Sequence, residues 1–109
     1  MSVNKIILIG NVGRDPEIRY VETRPIATFS LATNEPAPVA APGAAPQPPR
    51  TEWHNIVMWD KAAEVAERYI RKGTKLYVEG KLRYRVWQDR TAISRTIAEI
   101  YVDNFEILG

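Results

Sequence analysis

Along most of this chain apolar side chains fall on alternate positions, the signature of strands that rest one face on a core. "PIATFSLATN" (25–34) puts Ala27, Phe29 and Leu31 on one side and Thr28 and Ser30 on the other. "TEWHNIVMWD" (51–60) puts Trp53, Asn55, Val57 and Trp59 on one face, with His54, Ile56 and Met58 opposite. "KLYVEGKLRYRVWQ" (75–88) sets Leu76, Val78, Leu82, Tyr84 and Val86 against Tyr77, Glu79, Lys81, Arg83, Arg85 and Trp87. "SRTIAEIYVDNFEIL" (94–108) supplies a last strand, with "QDRT" able to turn the chain before it. "VNKIILIGNV" (3–12) has a denser apolar run and reads as a strand buried on both faces for much of its length. "NVGRDPEIRY" then offers the turn chemistry of Gly13, Asp15 and Pro16.

One segment breaks the period of two. "DKAAEVAERYIRKG" (60–73) repeats Ala62, Val65, Ala66, Tyr69 and Ile70 at helical spacing. Asp60 is placed to cap its start, and Gly73 to end it. Arg71 and Lys72 suit the negative end of the helix dipole, which is reason enough for their presence without any ligand. Another segment has no period at all. "EPAPVAAPGAAPQPPR" (35–50) holds six of the eight prolines and five alanines. It cannot build a core and predicts a mobile, partly polyproline-like loop. The 34 residues before it are too few to fold alone. Residues 1–109 therefore form a single domain, in the order three strands, one helix, two strands. An all-β chain with one helix between strands three and four has the layout of a five-stranded OB barrel, though other small barrels share it.

The faces differ in chemistry. On 51–60 the Ile56 and Met58 side is the ordinary core choice, because Asn55 on the other side is costly to bury without partners. Two indoles then point outward, and Trp87 lies on the same parity as Arg83 and Arg85. Rings interleaved with cations suit single-stranded nucleic acid, whose bases stack on indoles at about 1–3 kcal/mol each while Lys and Arg follow the phosphates. The plainer reading is that tryptophans are core residues, since large rings are usually well buried. His54 by itself reads as a packed or interface residue.

Composition adds exclusions more than identities. The net charge of +2 and pI near 9.0 give only a mild basic bias. With no cysteine and one histidine, neither disulfides nor a thiolate or His-based metal site is expected, and no cofactor. The longest apolar runs are far below the ~18 residues of a membrane span, and the N-terminus lacks a cleavage site. The expectation is a cytoplasmic protein. Asp15, Glu17 and Asp60 are scattered among turns and caps, with Asp103 and Glu106 near the end. No acid–base or metal-binding constellation emerges, so an enzyme such as a nuclease is not expected.

Taken together, "VNKIILIGNVGRDPEIRY", "FSLATNE", "TEWHNIVMWDKAAEVAERYIRKG" and "KLYVEGKLRYRVW" resemble the motifs of bacterial single-stranded-DNA-binding proteins, in the family's order and over nearly everything but the Pro/Ala loop. The resemblance implies an OB fold, a homotetramer, and non-catalytic protection of single-stranded DNA in replication, recombination and repair, near the nucleoid. It places Trp53, Trp59 and Trp87 as base-stacking rings and Lys5, Lys61, Lys72, Arg83 and Arg85 along the DNA path. Asn55 falls at a basic or polar position of the same face, and Arg50 joins the DNA-binding set. His54, Tyr77 and Glu79 match positions of subunit contact. The family's loop before "TEWH" often carries cations and another stacking ring; here it has neither until Arg50. The sequence ends at "FEILG" without the acidic tail that recruits replication and repair proteins in the family. Another OB-type module, such as a primosome accessory factor or an RNA-binding domain, is the alternative, since no residue here distinguishes DNA from RNA by a 2′-hydroxyl contact.

Overall fold

The computed structural model describes residues 1–109. Its elements are β1 (Ile6–Val12), β2 (Glu17–Val21), β3 (Arg24–Glu35), β4 (Arg50–Trp59), α1 (Lys61–Tyr69), β5 (Lys75–Gln88) and β6 (Ser94–Ile107). The strands run in the order β1-β5-β6-β4-β3-β2, and β1 also pairs with β3, which closes five of them into a barrel with β2 flanking β3. There are six strands where five are expected, and the helix lies between the fourth and fifth. The extra strand, "EIRYV", hides in the segment read as a turn. It turns back through Glu22, which takes a positive φ of 59°, and pairs Glu17 with Thr28 and Val21 with Arg24.

The single sheet has two broad antiparallel parts that meet at two narrow seams. β3 and β4 pair along their whole length, from Ile26–Trp59 to Glu35–Arg50. β5 and β6 pair from Leu76–Ile107 to Gln88–Ser94, with an irregularity at Glu79/Gly80, and β1 joins β5 from Ile6–Gly80 to Asn11–Lys75. The seams are short: β1 meets β3 only at Asn11–Ala32 and Val12–Leu31. β4 meets β6, in parallel, only at Asn55–Glu99, Ile56–Ile100 and Val57–Tyr101. The first seam depends on Gly10, where a Cβ would stand 2.2 Å from the Ala32 carbonyl oxygen. No side chain fits there without parting the strands.

Alternation puts Phe29, Leu31, Ile56, Met58, Leu76, Val78 and Ile100 inside, and α1 covers them with Ala63 and Ala66, joined by Ile70 just past its end. This corrects the sequence reading at three places. Ile7 and Ile9 are 58% and 53% exposed, so β1 is buried on one face only, because nothing in the chain covers its outer side. Tyr69 is exposed and Ala63 takes its place in the helix's buried stripe. Tyr84 and Val86 are exposed too, because β5 and β6 run past the barrel as a two-stranded arm with no third layer. The helix ends at Tyr69, ahead of Gly73, and Arg71 Nη1 donates to the Glu67 and Ile70 carbonyls at 2.8 and 2.7 Å. Gly73 takes a positive φ of 91° in the turn that follows. Residues 36–49 leave the barrel between the paired ends Glu35 and Arg50 and are exposed throughout. No helix is long and apolar enough to cross a membrane.

Candidate nucleic-acid interface

Residues directly opposite in a ladder point to the same face, so the registers show which outward side chains meet. Trp53, Asn55, Val57 and Trp59 stand opposite Ala32, Ser30, Thr28 and Ile26 on β3. Asn55 and Val57 stand opposite Glu99 and Tyr101 on β6. Tyr101, Glu99, Ile97 and Arg95 in turn face Lys81, Arg83, Arg85 and Trp87 on β5. The tryptophan face of β4 and the arginine face of β5 are thus one continuous outer surface, joined across β6. Val57, on that surface by parity, is nonetheless buried.

Each ring on this surface has a distinct setting. Trp53 is 60% exposed and lies over Gly13, where a Cβ would stand 2.3 Å from its Cζ3. Trp59 is half-buried, with the Arg24 guanidinium 4.5 Å from its ring centre. Trp87 is 44% exposed on the arm, opposite Arg95. Tyr101 lies beneath Arg83, which sits 5.1 Å from the ring centre. In the middle, Asn55 Nδ2 donates to the Ala98 carbonyl at 3.2 Å. Arg85 forks onto the buried Glu99, Nε to Oε1 at 3.1 Å and Nη2 to Oε2 at 3.3 Å. Arg14, Glu17 and Arg19 complete a polar hollow of about 220 Å³ around Asn55.

The cations differ in what already holds them. Arg50 pairs with Glu52 at 2.8 Å, and Arg85 with Glu99. Arg83 has no carboxylate partner within ion-pair distance, and neither have Lys61 and Lys72. The Lys72 N–H donates to Asp15 Oδ1 at 2.8 Å, and the next residue's N–H to the Val12 carbonyl, which brings this turn beside Gly13 and the Trp53 ring. Lys61 instead opens α1 and borders a hollow with Tyr20, Glu64 and Tyr69.

Lys5 is placed elsewhere again, 3.5 Å from Glu79. Glu79 and Tyr77 stand opposite Ile7 and Ile9 on the outer side of β1 and β5, and Tyr77 donates its hydroxyl to the Glu79 carboxylate. That bond, with Lys5 behind it, holds the Glu79 carboxyl below its ordinary range. The same bond to Glu79, with burial and the Glu106 charge, raises the Tyr77 phenol. His54 is half-buried at the barrel's end and hydrogen-bonded to Thr33 Oγ1 at 2.9 Å.

The sequence model of the "Single-strand binding protein family" matches residues 3–108. The chain belongs to that family. A single-stranded DNA-binding protein of Bacteroides thetaiotaomicron is 51% identical over 110 residues, covering 100% of this chain and 68% of its own length. The solved Plasmodium falciparum SSB complex with ssDNA is 35% identical, with a TM-score of 0.87, and covers 100% of this chain and 97% of that one. The OB fold expected from the strand order is therefore this family member's fold.

Sequence reasoning passed over Tyr101, Glu99, Arg14, Arg19 and Arg24. Tyr101 and Glu99 alternate with Ile100 and Val102, so parity along the last strand would have placed them outward. Arg24 carried no signal, since its partner Asp60 is 36 residues away. Asp60 itself was expected to cap α1. It occupies that position but makes no capping bond, because Arg24 holds its carboxylate. The Arg24 hydrogen bond also keeps the Asp60 carboxyl below its ordinary range.

Proposed function

We propose that this chain binds single-stranded DNA with little sequence preference, stacking bases on Trp53, Trp59 and Trp87 while Lys72, Arg83 and their neighbours meet phosphates and Arg85, already forked onto Glu99, supports that face. The observation that carries this is the continuity of the outer surface. Three indoles, a tyrosine and several cations occupy one side of the barrel and its arm, and the hollows along it are partly open to solvent. Stacking accepts any base, because every base has a π-face, and a shallow surface adds little edge readout. Such a protein would shield single strands exposed in replication, recombination and repair, without catalysing a reaction. The family membership and the ssDNA complex of the Plasmodium relative support the same reading.

The assembly belongs to this proposal. Ile7 and Ile9 with the Tyr77–Glu79–Lys5 cluster form an apolar patch with polar anchors on the side of the barrel formed by β1 and β5. A second copy would cover it, and His54 would contribute to subunit contacts in a tetramer. The deciding experiment titrates the protein with poly(dT), duplex DNA and single-stranded RNA, following tryptophan emission and complex mass together. Strong quenching by poly(dT) at tetramer mass, with weak duplex binding, is expected. Preference for duplex, or binding without quenching, would overturn the stacking mechanism, and preference for RNA would favour an RNA-binding OB module.

A further inference from the structure

We propose that Arg24 and Asp60 form a clip that fixes the Trp59 indole and covers one of its faces. Trp59 then offers bases a single, pre-oriented face, and Arg24 stays off the phosphates. The inference rests on the reading that Trp59 stacks bases. Arg24 opens β3, and Asp60 is the residue between β4 and α1. Arg24 Nε donates to Asp60 Oδ1 at 3.0 Å and Nη2 to Oδ2 at 2.7 Å. The edge of the guanidinium is thus held by a fork while its centre lies 4.5 Å from the Trp59 ring centre. Only a planar fork can meet both partners at once; a lysine ammonium cannot.

The backbone is committed to this arrangement. Asp60 sits at φ 56° and ψ −123°, a conformation that residues with a Cβ avoid. Its N–H donates to the Pro25 carbonyl at 2.9 Å, which pins it beside Arg24. Its carboxylate forgoes the helix cap, the use that its position favours. Strain and a missing cap are thus accepted at the residue that follows a candidate stacking ring. Trp59 also borders a hollow of about 370 Å³ that Arg24 itself lines with Lys81, Arg83, Tyr101 and Asp103. Arg24 is tied back there by Asp60 and Lys81 by Asp103, which leaves Arg83 as the cation placed to meet the backbone of a stacked nucleotide. Arg24 is therefore a positioning residue.

Charge separates this role from an ordinary phosphate contact. For a polyanion ligand, Arg24→Ala should weaken binding and Asp60→Asn should strengthen it, if each acts only through charge. The clip requires both to weaken it. The test titrates poly(dT) at several salt concentrations against the unaltered protein, Arg24→Ala, Arg24→Lys, Asp60→Asn, the Arg24→Ala/Asp60→Asn double variant and Trp59→Ala. Asn tolerates positive φ better than most residues, which favours retention of the backbone. Denaturant midpoints check that each variant folds.

The single variants, Arg24→Lys included, should each bind about twofold to fivefold more weakly, the scale of a cation–π contact. The double variant should be no worse than either single one, and the slope of log affinity against log salt should not change. Rotational freedom of the indole should rise on Arg24→Ala, read by emission anisotropy with Trp53 and Trp87 replaced by Phe. Tighter binding by Asp60→Asn, or a slope reduced by about 0.7 in Arg24→Ala, would show Arg24 acting on phosphate and overturn the clip. Unchanged affinity in both single variants while Trp59→Ala weakens binding would also overturn it, leaving stacking intact. Unchanged affinity in Trp59→Ala would instead refute the stacking reading, and the clip with it.

Discussion

Gly13→Ala tests the Trp53 platform without altering any of the side chains proposed to contact DNA. The added Cβ would stand 2.3 Å from Trp53 Cζ3, 3.0 Å from Cη2 and 2.8 Å from Ser30 Oγ. Non-bonded carbons rest about 3.5–4.0 Å apart, so the ring must withdraw by over ~1 Å or rotate, while the Ser30 hydroxyl can swing aside. Stacking on an aromatic ring is worth about 1–3 kcal/mol per base. Misplacing the platform by that amount should cost about 1 kcal/mol, or roughly fivefold in poly(dT) affinity. Fold stability should change little. Trp53 is largely exposed, and replacing glycine by alanine at a permitted φ stabilises by about 0.4–1 kcal/mol through the unfolded chain, offsetting the lost ring contacts. Fluorescence titration and denaturant midpoints, each repeated in a Trp53→Ala background, form a double-mutant cycle. The cycle should show Gly13→Ala without effect on affinity once the indole is gone. A loss of more than about 2 kcal/mol in stability with affinity intact would refute this reasoning, because it would make Trp53 a packed structural ring.

Three further outcomes follow from the charges, the loop and the arm. Neutralising Arg83 or Lys72 should lower the slope of log affinity against log salt by about 0.7, and neutralising Arg50, already held by Glu52, by clearly less; equal effects would refute the distinction. Replacing Ala37 to Pro48 with a short Gly/Ser linker should leave stability and poly(dT) affinity within about 0.5 kcal/mol, as for a surface change away from packed features. A tenfold loss of affinity would make the loop a binding element. At the β5–β6 turn, Asp89 accepts from the Thr91 hydroxyl and N–H, the Ile93 N–H and Arg95, bonds led by that hydroxyl that hold its carboxyl below the ordinary 3.8. A depressed folded value means that its stabilisation is complete above 3.8 and fades as pH falls through the lower folded value. Amide exchange at Thr91 and Ile93 should quicken there, referenced to unstructured peptides at the same pH, ahead of the barrel amides; exchange in step with the barrel would count against it.

The parts of this molecule that were legible in sequence are those set by local alternation. β3, β4 and β5 showed their inward and outward sets because each rests one face on a single core, and the Pro/Ala segment marked its own limits by composition. The missed features depend on what lies across the fold. Ile7 and Ile9 look buried because they are apolar, yet covering them requires a layer this chain does not supply. Tyr84 and Val86 keep a core-like alternation along an arm that has left its core. "EIRYV" is too short and too polar to announce a strand, and β3 alone gives it a ladder. At the candidate site, parity and ring chemistry pointed to the three tryptophans. The joining of their two faces needed the register of β6, and Arg24 needed the pairing of β3 with β4, which brings Asp60 beside it from 36 residues away.

The two seams have a mechanical consequence. Trp53 and Trp59 lie on the β2, β3 and β4 ladders, whereas Trp87, Arg83 and Arg85 lie on the β1, β5 and β6 ladders of the same six-stranded sheet. Within each set the ladders are long, but the join beneath the candidate binding surface spans only Asn55 to Val57, with the Asn55 amide donating to the Ala98 carbonyl. Bonds this few yield before long ladders do. The proposed stacking rings are therefore mounted on two long ladders joined by a short one, so that local opening of three residue pairs would be enough to change the distance from Trp53 and Trp59 to Trp87.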